Sequence, residues 1–124
     1  DVLDMEEAIA HIKRSQETID KLQIAPKELQ KLLEERSVKL IDVRTDEERR
    51  LAYIEGDVLA TQELEQEIME KWPKDTAMVL YCHKGDRSLQ AVTHLSNQGF
   101  TNIKSLKGGI DAWSEQVDSL LPRY

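Results

Sequence analysis

The sequence predicts an α/β fold in which a parallel β-sheet is covered by helices on both faces. The runs Val38–Val43 and Ala77–Cys82 are mostly apolar, as strands buried on both faces are, and Asn102–Leu106 forms a further short strand. Stretches with helical spacing of apolar residues lie between these runs, so strands and helices alternate along the chain. The length of 124 residues is sufficient for one domain with a substantial core.

The composition limits the class of function. A net charge of −7 argues against partners such as nucleic acid or an anionic membrane, which attract basic surfaces. No apolar run approaches the roughly 20 residues that a membrane span needs. Cys82 is the only cysteine, so an internal disulfide is excluded and a cytoplasmic location is expected. The chain begins at Asp1 rather than at Met, which leads us to expect a processed product or a piece of a longer protein.

Residues 1–22 are predicted to be an N-terminal helical extension or linker ahead of a domain at residues 23–124. Apolar side chains recur near one face of a helix over residues 4 to 22. They are Met5, Ile9, Ile12, Ile19 and Leu22. This face has three possible roles: packing on its own domain, pairing with a second copy in a homodimer, or connecting to an upstream domain.

The elements of the first half are each indicated by a local signal. Pro26 suits the first turn of a helix, three acidic residues from Asp46 favour a helix start, and Pro73 ends the helix before it. The predicted elements are an extended entry at Ile24–Pro26, a helix Lys27–Glu35, the strand Val38–Val43, a helix from Asp46, a turn at Tyr53–Asp57, a strand Val58–Ala60 and a helix Gln62–Trp72. The last of these helices is expected to turn four side chains inward, namely Leu64, Ile68, Met69 and Trp72.

The second half repeats the alternation of strand and helix. The strand Ala77–Cys82 is followed by a loop and a helix Arg87–Gln98, for which Gly99 is a suitable C-terminal cap. After the strand Asn102–Leu106, the pair Gly108-Gly109 opens the last predicted helix, Ile110–Gln116, and indicates a close approach of two backbone segments. The tail Val117–Tyr124 is expected to lie across the surface.

Cys82 is the candidate nucleophile. It stands where a strand ends, and a short turn containing Gly85 leads from it to a helix that begins near Arg87. Backbone N–H groups in such a turn can converge on one point, where the helix N-terminus adds partial positive charge. A thiol at that point is expected to be present as the nucleophilic thiolate. The alternative is a small buried hydrophobe without chemistry.

The residues after Cys82 form the candidate substrate-binding loop. Lys84 and Arg87 supply positive charge that attracts an anion, although Arg87 also suits a structural ion pair and Lys84 a solvated loop position. His83 is expected at the polar rim rather than as a proton carrier, and Asp86 in the turn. Ser88 is expected either to bond a loop carbonyl or the sulfur, or to cap the helix. No metal site is predicted, because the histidines on the flanking helices lack partners at ligand spacing, and no cofactor motif is present.

The chain resembles the rhodanese family over about residues 23 to 124. The similarity rests on Leu40–Arg44 followed by an acidic run, on the loop Tyr81–Ser88, and on Gly99–Ile103 followed by Leu106–Trp113. The resemblance implies a three-layer sandwich around a five-stranded parallel sheet, and sulfur transfer through a persulfide on Cys82. It also implies a small anionic sulfur donor, thiosulfate or a persulfide, and a thiol or sulfur-carrier protein as acceptor.

The resemblance also assigns supporting residues. Asp42 and Arg44 are interpreted as buried polar support, with Arg44 pairing with Glu47 or Glu48. Arg49 stands where the family often has an aromatic residue. Its default position is a solvated helix face, and the alternative is that it reaches the mouth of the pocket. The segment Ala52–Asp57 departs from the common pattern Gly-His-Ile-Pro-Gly-Ala and keeps only its isoleucine and second glycine.

Loop length separates two chemistries. Four residues lie between Cys82 and Arg87, whereas cysteine phosphatases that share the rhodanese fold have five, in a wider loop that holds phosphate. The tighter loop therefore favours a sulfur atom. Two alternatives to a free-standing thiosulfate sulfurtransferase remain: a sulfur-relay module of a larger protein, and a non-catalytic module that binds a protein partner.

Overall fold

Residues 16–124 are described by the computed structural model, and they form alternating strands and helices. A helical stretch at residues 16–21 precedes the first strand. The elements that follow are β1 (Gln23–Ile24), α1 (Pro26–Glu34), β2 (Lys39–Asp42), α2 (Asp46–Leu51), β3 (Val58–Leu59), α3 (Gln62–Lys71), β4 (Met78–Tyr81), α4 (Asp86–Asn97), β5 (Ile103–Leu106) and α5 (Gly109–Gln116).

The five strands form one parallel sheet in the order β1-β5-β4-β2-β3. Strand β4 occupies the centre, and its four residues are all buried. Its register with β2 places Asp42 opposite Tyr81. Because the strands are parallel, the segments that follow β2 and β4 leave the sheet at the same edge, where loops of an α/β sheet commonly form a site.

The core has two apolar layers, one on each face of the sheet. Successive residues of a strand point to opposite faces, so Val79 and Tyr81 face one layer while Met78 and Leu80 face the other. The first layer includes Leu29 of α1 and Trp113 of α5, and the second includes Ile68 and Val92 of α3 and α4. This arrangement confirms the predicted three-layer α/β sandwich.

The predicted elements agree with the observed ones to within one or two residues at their ends. Helix α4 ends as predicted, since Gly99 has a φ of 100° and the Phe100 N–H donates to Leu95 O at 3.2 Å. One side chain of α3 does not point where the sequence predicted: Met69 is 37% exposed rather than turned inward. It follows the buried Ile68 directly, so a step of about 100° along the helix carries it out of the contact with the sheet.

The predicted helix at residues 4 to 22 is only partly described. Its last part, residues 16–21, is helical, and the remainder lies outside the described residues, as does most of the surface proposed for a homodimer. None of the helices within residues 16–124 has the length and apolarity required to cross a membrane.

Candidate active site

The loop between β4 and α4 begins at Cys82 and ends at Gly85, the N-cap residue of α4. Gly85 has a φ of 104°, in the left-handed region that residues with side chains rarely adopt. A Cβ at this position would also lie 3.1 Å from Gly108 N. Glycine at this position therefore permits both the reversal of the chain and its close packing on the segment before α5.

The thiol of Cys82 points into the loop, where two N–H groups and one hydroxyl surround its sulfur. The Gly85 N–H donates to Sγ at 3.1 Å and the Ser88 N–H at 3.4 Å. The Ser88 hydroxyl lies 3.4 Å from the same atom. Cys82 is 1% exposed, so a substrate reaches the sulfur only after neighbouring groups move. The amides are thus turned toward the sulfur as expected, two of them within bonding distance, while the sulfur itself is covered.

The N-terminus of α5 holds the outside of the same loop. The Ile110 N–H donates to Cys82 O at 2.9 Å, and the Asp111 N–H donates to His83 O at 3.1 Å. These helix N–H groups have no partner within their own helix. By binding the loop carbonyls on one side, they help to hold the peptide units so that other N–H groups face the sulfur.

Gly109 permits this contact. It has a φ of 62°, and a Cβ there would overlap with the carbonyl oxygens of both Cys82 and His83. The close backbone approach indicated by the pair Gly108-Gly109 is therefore confirmed, and the segment approached is the candidate loop. The backbone donors of Ile110 and Asp111 carry no side-chain signal and were not predicted.

The charged residues of the loop take different positions. Arg87 donates two hydrogen bonds to the carboxylate of Glu48, at 2.7 and 2.9 Å, so it forms the ion pair that was the structural alternative for this residue. These bonds lower the pKa of Glu48 to about 2. Lys84 is exposed on the loop. Asp86 is the exposed first residue of α4 rather than a residue of the turn.

His83 lies beside the C-terminal residue. Its ring stacks on Tyr124 with 4.0 Å between centroids and an angle of 11°. The Tyr124 hydroxyl donates to Glu48 at 2.7 Å and accepts from Arg44 at 2.9 Å. The His83 Nε2 atom is buried without a hydrogen-bond partner among the described residues. The tail therefore lies over the side of the candidate loop, a contact that the sequence did not predict.

Asp42 and Arg44 are buried below the loop, as expected, but Arg44 has a different partner. Its guanidinium donates to both carboxylate oxygens of Asp42 at 2.9 Å. The predicted ion pair with Glu47 or Glu48 is wrong, since Arg44 reaches only the backbone oxygen of Glu48, at 3.5 Å. Residues 42 and 44 lie two positions apart at the end of an extended segment, which allows their side chains to project to the same side.

Arg49 is the second correction, because it does not lie on a solvated face. It donates to both carboxylate oxygens of Asp57, at 2.6 and 2.8 Å, and to Asp42 at 3.2 Å. The Tyr81 hydroxyl also donates to Asp57, and burial together with this bond raises the pKa of Tyr81. Asp57 was assigned only to a turn, although Arg49 and Asp57 both depart from the family pattern and now prove to be partners.

No group of His, Cys, Asp and Glu side chains suited to a metal ion occurs within residues 16–124. The donors around Cys82 are N–H and O–H groups, which bind an anion rather than a cation. The arrangement therefore suits a negatively charged sulfur.

Comparisons with known proteins identify the family of this chain. The family described as "Rhodanese-like domain" matches residues 25–116. A protein named "Sulfurtransferase" from Allochromatium vinosum is 36% identical over 85 residues, which cover 68% of this chain and 79% of that protein. A crystal structure of a rhodanese-like domain protein from Staphylococcus aureus has a TM-score of 0.64 and 29% identity, covering 77% of this chain and 93% of that one.

A longer relative has a second activity in its name. The "Probable adenylyltransferase/sulfurtransferase MoeZ" of Mycobacterium tuberculosis is 36% identical over 104 residues, which cover 82% of this chain. The matched part spans only 26% of that protein's length.

Proposed function

Because this chain belongs to the family of rhodanese-like domains, we propose that it is a sulfurtransferase in which Cys82 carries the sulfur as a persulfide. The observation that carries the proposal is the position of Cys82 Sγ, which receives the N–H groups of Gly85 and Ser88 at 3.1 and 3.4 Å. Such donors stabilise an anionic sulfur, which is the form that attacks and the form that leaves.

The transfer takes two displacement steps. The Cys82 thiolate attacks the outer sulfur of thiosulfate, the S–S bond of the donor breaks, and its electron pair leaves with sulfite. An acceptor nucleophile, a thiol or cyanide, then attacks the outer sulfur of the persulfide. The second S–S bond breaks, its electron pair returns to Cys82 Sγ, and the thiolate is regenerated. The chain has no second cysteine to resolve the persulfide, so the acceptor nucleophile lies outside this chain.

The charge near the loop supports an anionic donor. Lys84 is exposed, whereas the charge of Arg87 is shared with Glu48. In a protein with a net charge of −7, an exposed cation beside the nucleophile attracts a small anion locally. We therefore assign Lys84 to donor attraction, and Arg87 mainly to holding the loop against α2.

A sulfur relay within a larger protein is the second candidate. It is supported by the similarity to MoeZ, whose name includes a sulfurtransferase activity. This chain spans about a quarter of the length of MoeZ. In that role the donor is a protein or small-molecule persulfide, and the acceptor is a sulfur-carrier protein.

The test is formation of the persulfide on the purified chain. After incubation with thiosulfate, intact-mass measurement is expected to show the gain of one sulfur atom, which cyanide then removes as thiocyanate. Cys82→Ser is expected to abolish both signals. Loading by glutathione persulfide but not by thiosulfate favours the relay, and a protein that neither donor loads is a binding module without transferase activity.

A further inference from the structure

Ser105 is a polar residue in a wholly buried position of β5. It is 0% exposed, and its hydroxyl oxygen lies 2.7 Å from that of Ser88. The Ser88 oxygen lies in turn 3.4 Å from Cys82 Sγ. A line of three polar atoms therefore runs from the interior of the sheet to the sulfur. Ser105 belongs to none of the motifs on which the resemblance rests.

The hydrogen atoms along this line are limited in number. Ser88 has one hydroxyl hydrogen and two possible acceptors for it besides Ser105, namely Gly85 O at 3.2 Å and Cys82 Sγ at 3.4 Å. Gly85 O already accepts the Leu89 N–H at 3.1 Å. The sulfur, when ionised, gains more from the hydrogen than a carbonyl that already has a partner.

The contact from Ser105 decides how Ser88 uses its hydrogen. At 2.7 Å it is the shortest contact of the Ser88 hydroxyl. The other acceptor within reach of Ser105 is Gly85 O at 3.5 Å, the limit of hydrogen-bond distance, so the Ser105 hydrogen is better placed on Ser88. When Ser105 donates, Ser88 accepts on that side and keeps its own hydrogen for the sulfur or for Gly85 O. A hydroxyl that accepts a hydrogen bond is also a stronger donor, because the two bonds polarise one another.

We propose that Ser105 is a positioning residue for Cys82. The Ser105 hydroxyl donates to Ser88 and so directs the Ser88 hydroxyl toward the anionic sulfur. This inference rests on the proposed function, in which Cys82 is a thiolate both as nucleophile and as leaving group. When the acceptor removes the outer sulfur, the S–S bond breaks and the electron pair returns to Sγ, where the Ser88 hydrogen bond stabilises it. Ser105 acts only through Ser88 and touches neither substrate.

The experiment measures the thiolate without any sulfur donor. The rate of alkylation of Cys82 by iodoacetamide at neutral pH is followed by intact mass, and the single cysteine makes the product unambiguous. Ser105→Ala is expected to slow alkylation by about 3- to 10-fold, as loss of a hydrogen bond between two neutral groups would. Ser88→Ala is expected to slow it at least as much. In the Ser88→Ala background, the second substitution Ser105→Ala is expected to have no further effect.

An isosteric pair separates the hydroxyl from the volume at this position. Ser105→Thr keeps the hydroxyl and is expected to retain the rate of the unmodified chain. Ser105→Val has the shape of threonine without the hydroxyl, and it is expected to react as slowly as Ser105→Ala. The comparison of Thr with Val also serves if the alanine variant does not fold. Ile103→Val is the matched control, since Ile103 lies on the same face of β5 and is buried.

The proposal would be overturned by an unchanged rate in Ser105→Ala, by equal rates for the Thr and Val variants, or by multiplicative effects of the Ser88 and Ser105 substitutions. Ile103→Val is expected to react at the normal rate, and an equal slowing there means that altered opening of the loop explains the effect. Because alkylation needs no persulfide, its outcome is independent of whether the chain transfers sulfur.

Discussion

Gly109 determines the shape of the candidate site although it has no side chain. Its left-handed φ of 62° and the absence of a Cβ let the first turn of α5 meet the carbonyl groups of Cys82 and His83. The bonds from the Ile110 and Asp111 N–H groups depend on this approach. A residue far from Cys82 in sequence therefore holds the candidate nucleophile in place.

Gly109→Ala is expected to lower sulfur transfer at least tenfold and to destabilise the chain by about 3 kcal/mol, because a strained φ is combined with an overlap against the loop. Gly56→Ala is the control, since Gly56 also has a left-handed φ, of 91°, but no atom lies within 4 Å of the added Cβ. That variant is expected to lose only about 1–2 kcal/mol and to keep its activity. Thermal unfolding and initial rates measure both, and equal activity losses would contradict the role of the close approach.

Helix α2 connects the candidate loop to the rest of the molecule through Glu48. Thr45 and Glu48 form a capping box at the start of this helix. The same carboxylate accepts two hydrogen bonds from Arg87 of α4 and one from the Tyr124 hydroxyl. One side chain thus caps the start of one helix, holds the start of a second helix and binds Tyr124.

The contribution of Glu48 to stability is expected to depend on pH in a defined window. Its pKa falls from 4.5 to about 2 because of Arg87 first and Tyr124 next. A lowered carboxylate pKa stabilises the folded state above about pH 4.5, and this stabilisation is lost as the pH falls toward 2. Glu48→Gln keeps a side chain suited to the capping box but removes the charge.

The free energy of unfolding of the two proteins is expected to differ by about 1 kcal/mol at neutral pH, since Arg87 is half exposed. The difference is expected to be constant down to about pH 5 and to shrink below it. Urea unfolding at a series of pH values measures it. A difference that grows as the pH falls would contradict the assignment.

At the scale of the whole molecule, a buried polar network joins four separate segments beneath the loop. It links the ends of β2 and β4, helix α2 and the turn before β3, through Asp42, Arg44, Arg49, Asp57 and Tyr81. The charged groups of this network are paired, which is the condition under which charges are tolerated in an interior. The network places Tyr81, the residue before Cys82.

Arg49 and Asp57 are expected to be energetically coupled. The Asp57 side chain is 1% exposed and that of Arg49 is 25% exposed, so removing either partner leaves a poorly solvated charge. Arg49→Phe and Asp57→Ala, which introduce residue types typical of the family, are each expected to cost about 2 kcal/mol. The double variant is expected to recover at least about 1 kcal/mol relative to the sum of the two losses. Chemical denaturation of all four proteins measures the coupling, and strict additivity would contradict it.

Much of the fold was predictable from local sequence. The apolar run Ala77–Cys82 could only be buried, Gly99 could only end the preceding helix, and their alternation with amphipathic stretches implied a parallel sheet. The candidate loop was equally local, because Cys82, Gly85 and Ser88 lie within seven consecutive positions. The partners of Arg44 and Arg49 were not predictable, since several carboxylates lie at suitable distances along the chain and the sequence does not rank them.

The sequence by itself determined the order of strands and helices, the cysteine at the end of a strand and the tight loop beside it, because each depends on neighbours a few residues away. Only the tertiary structure decided what surrounds that loop: Ser105 behind Ser88, Gly109 against Cys82, and Tyr124 on His83. The Ser105 contact joins positions 17 residues apart and the Tyr124 contact joins positions 41 residues apart. The contact at Gly109 involves backbone atoms alone. Their pairing follows from how the strands pack, and no local pattern of side chains encodes it.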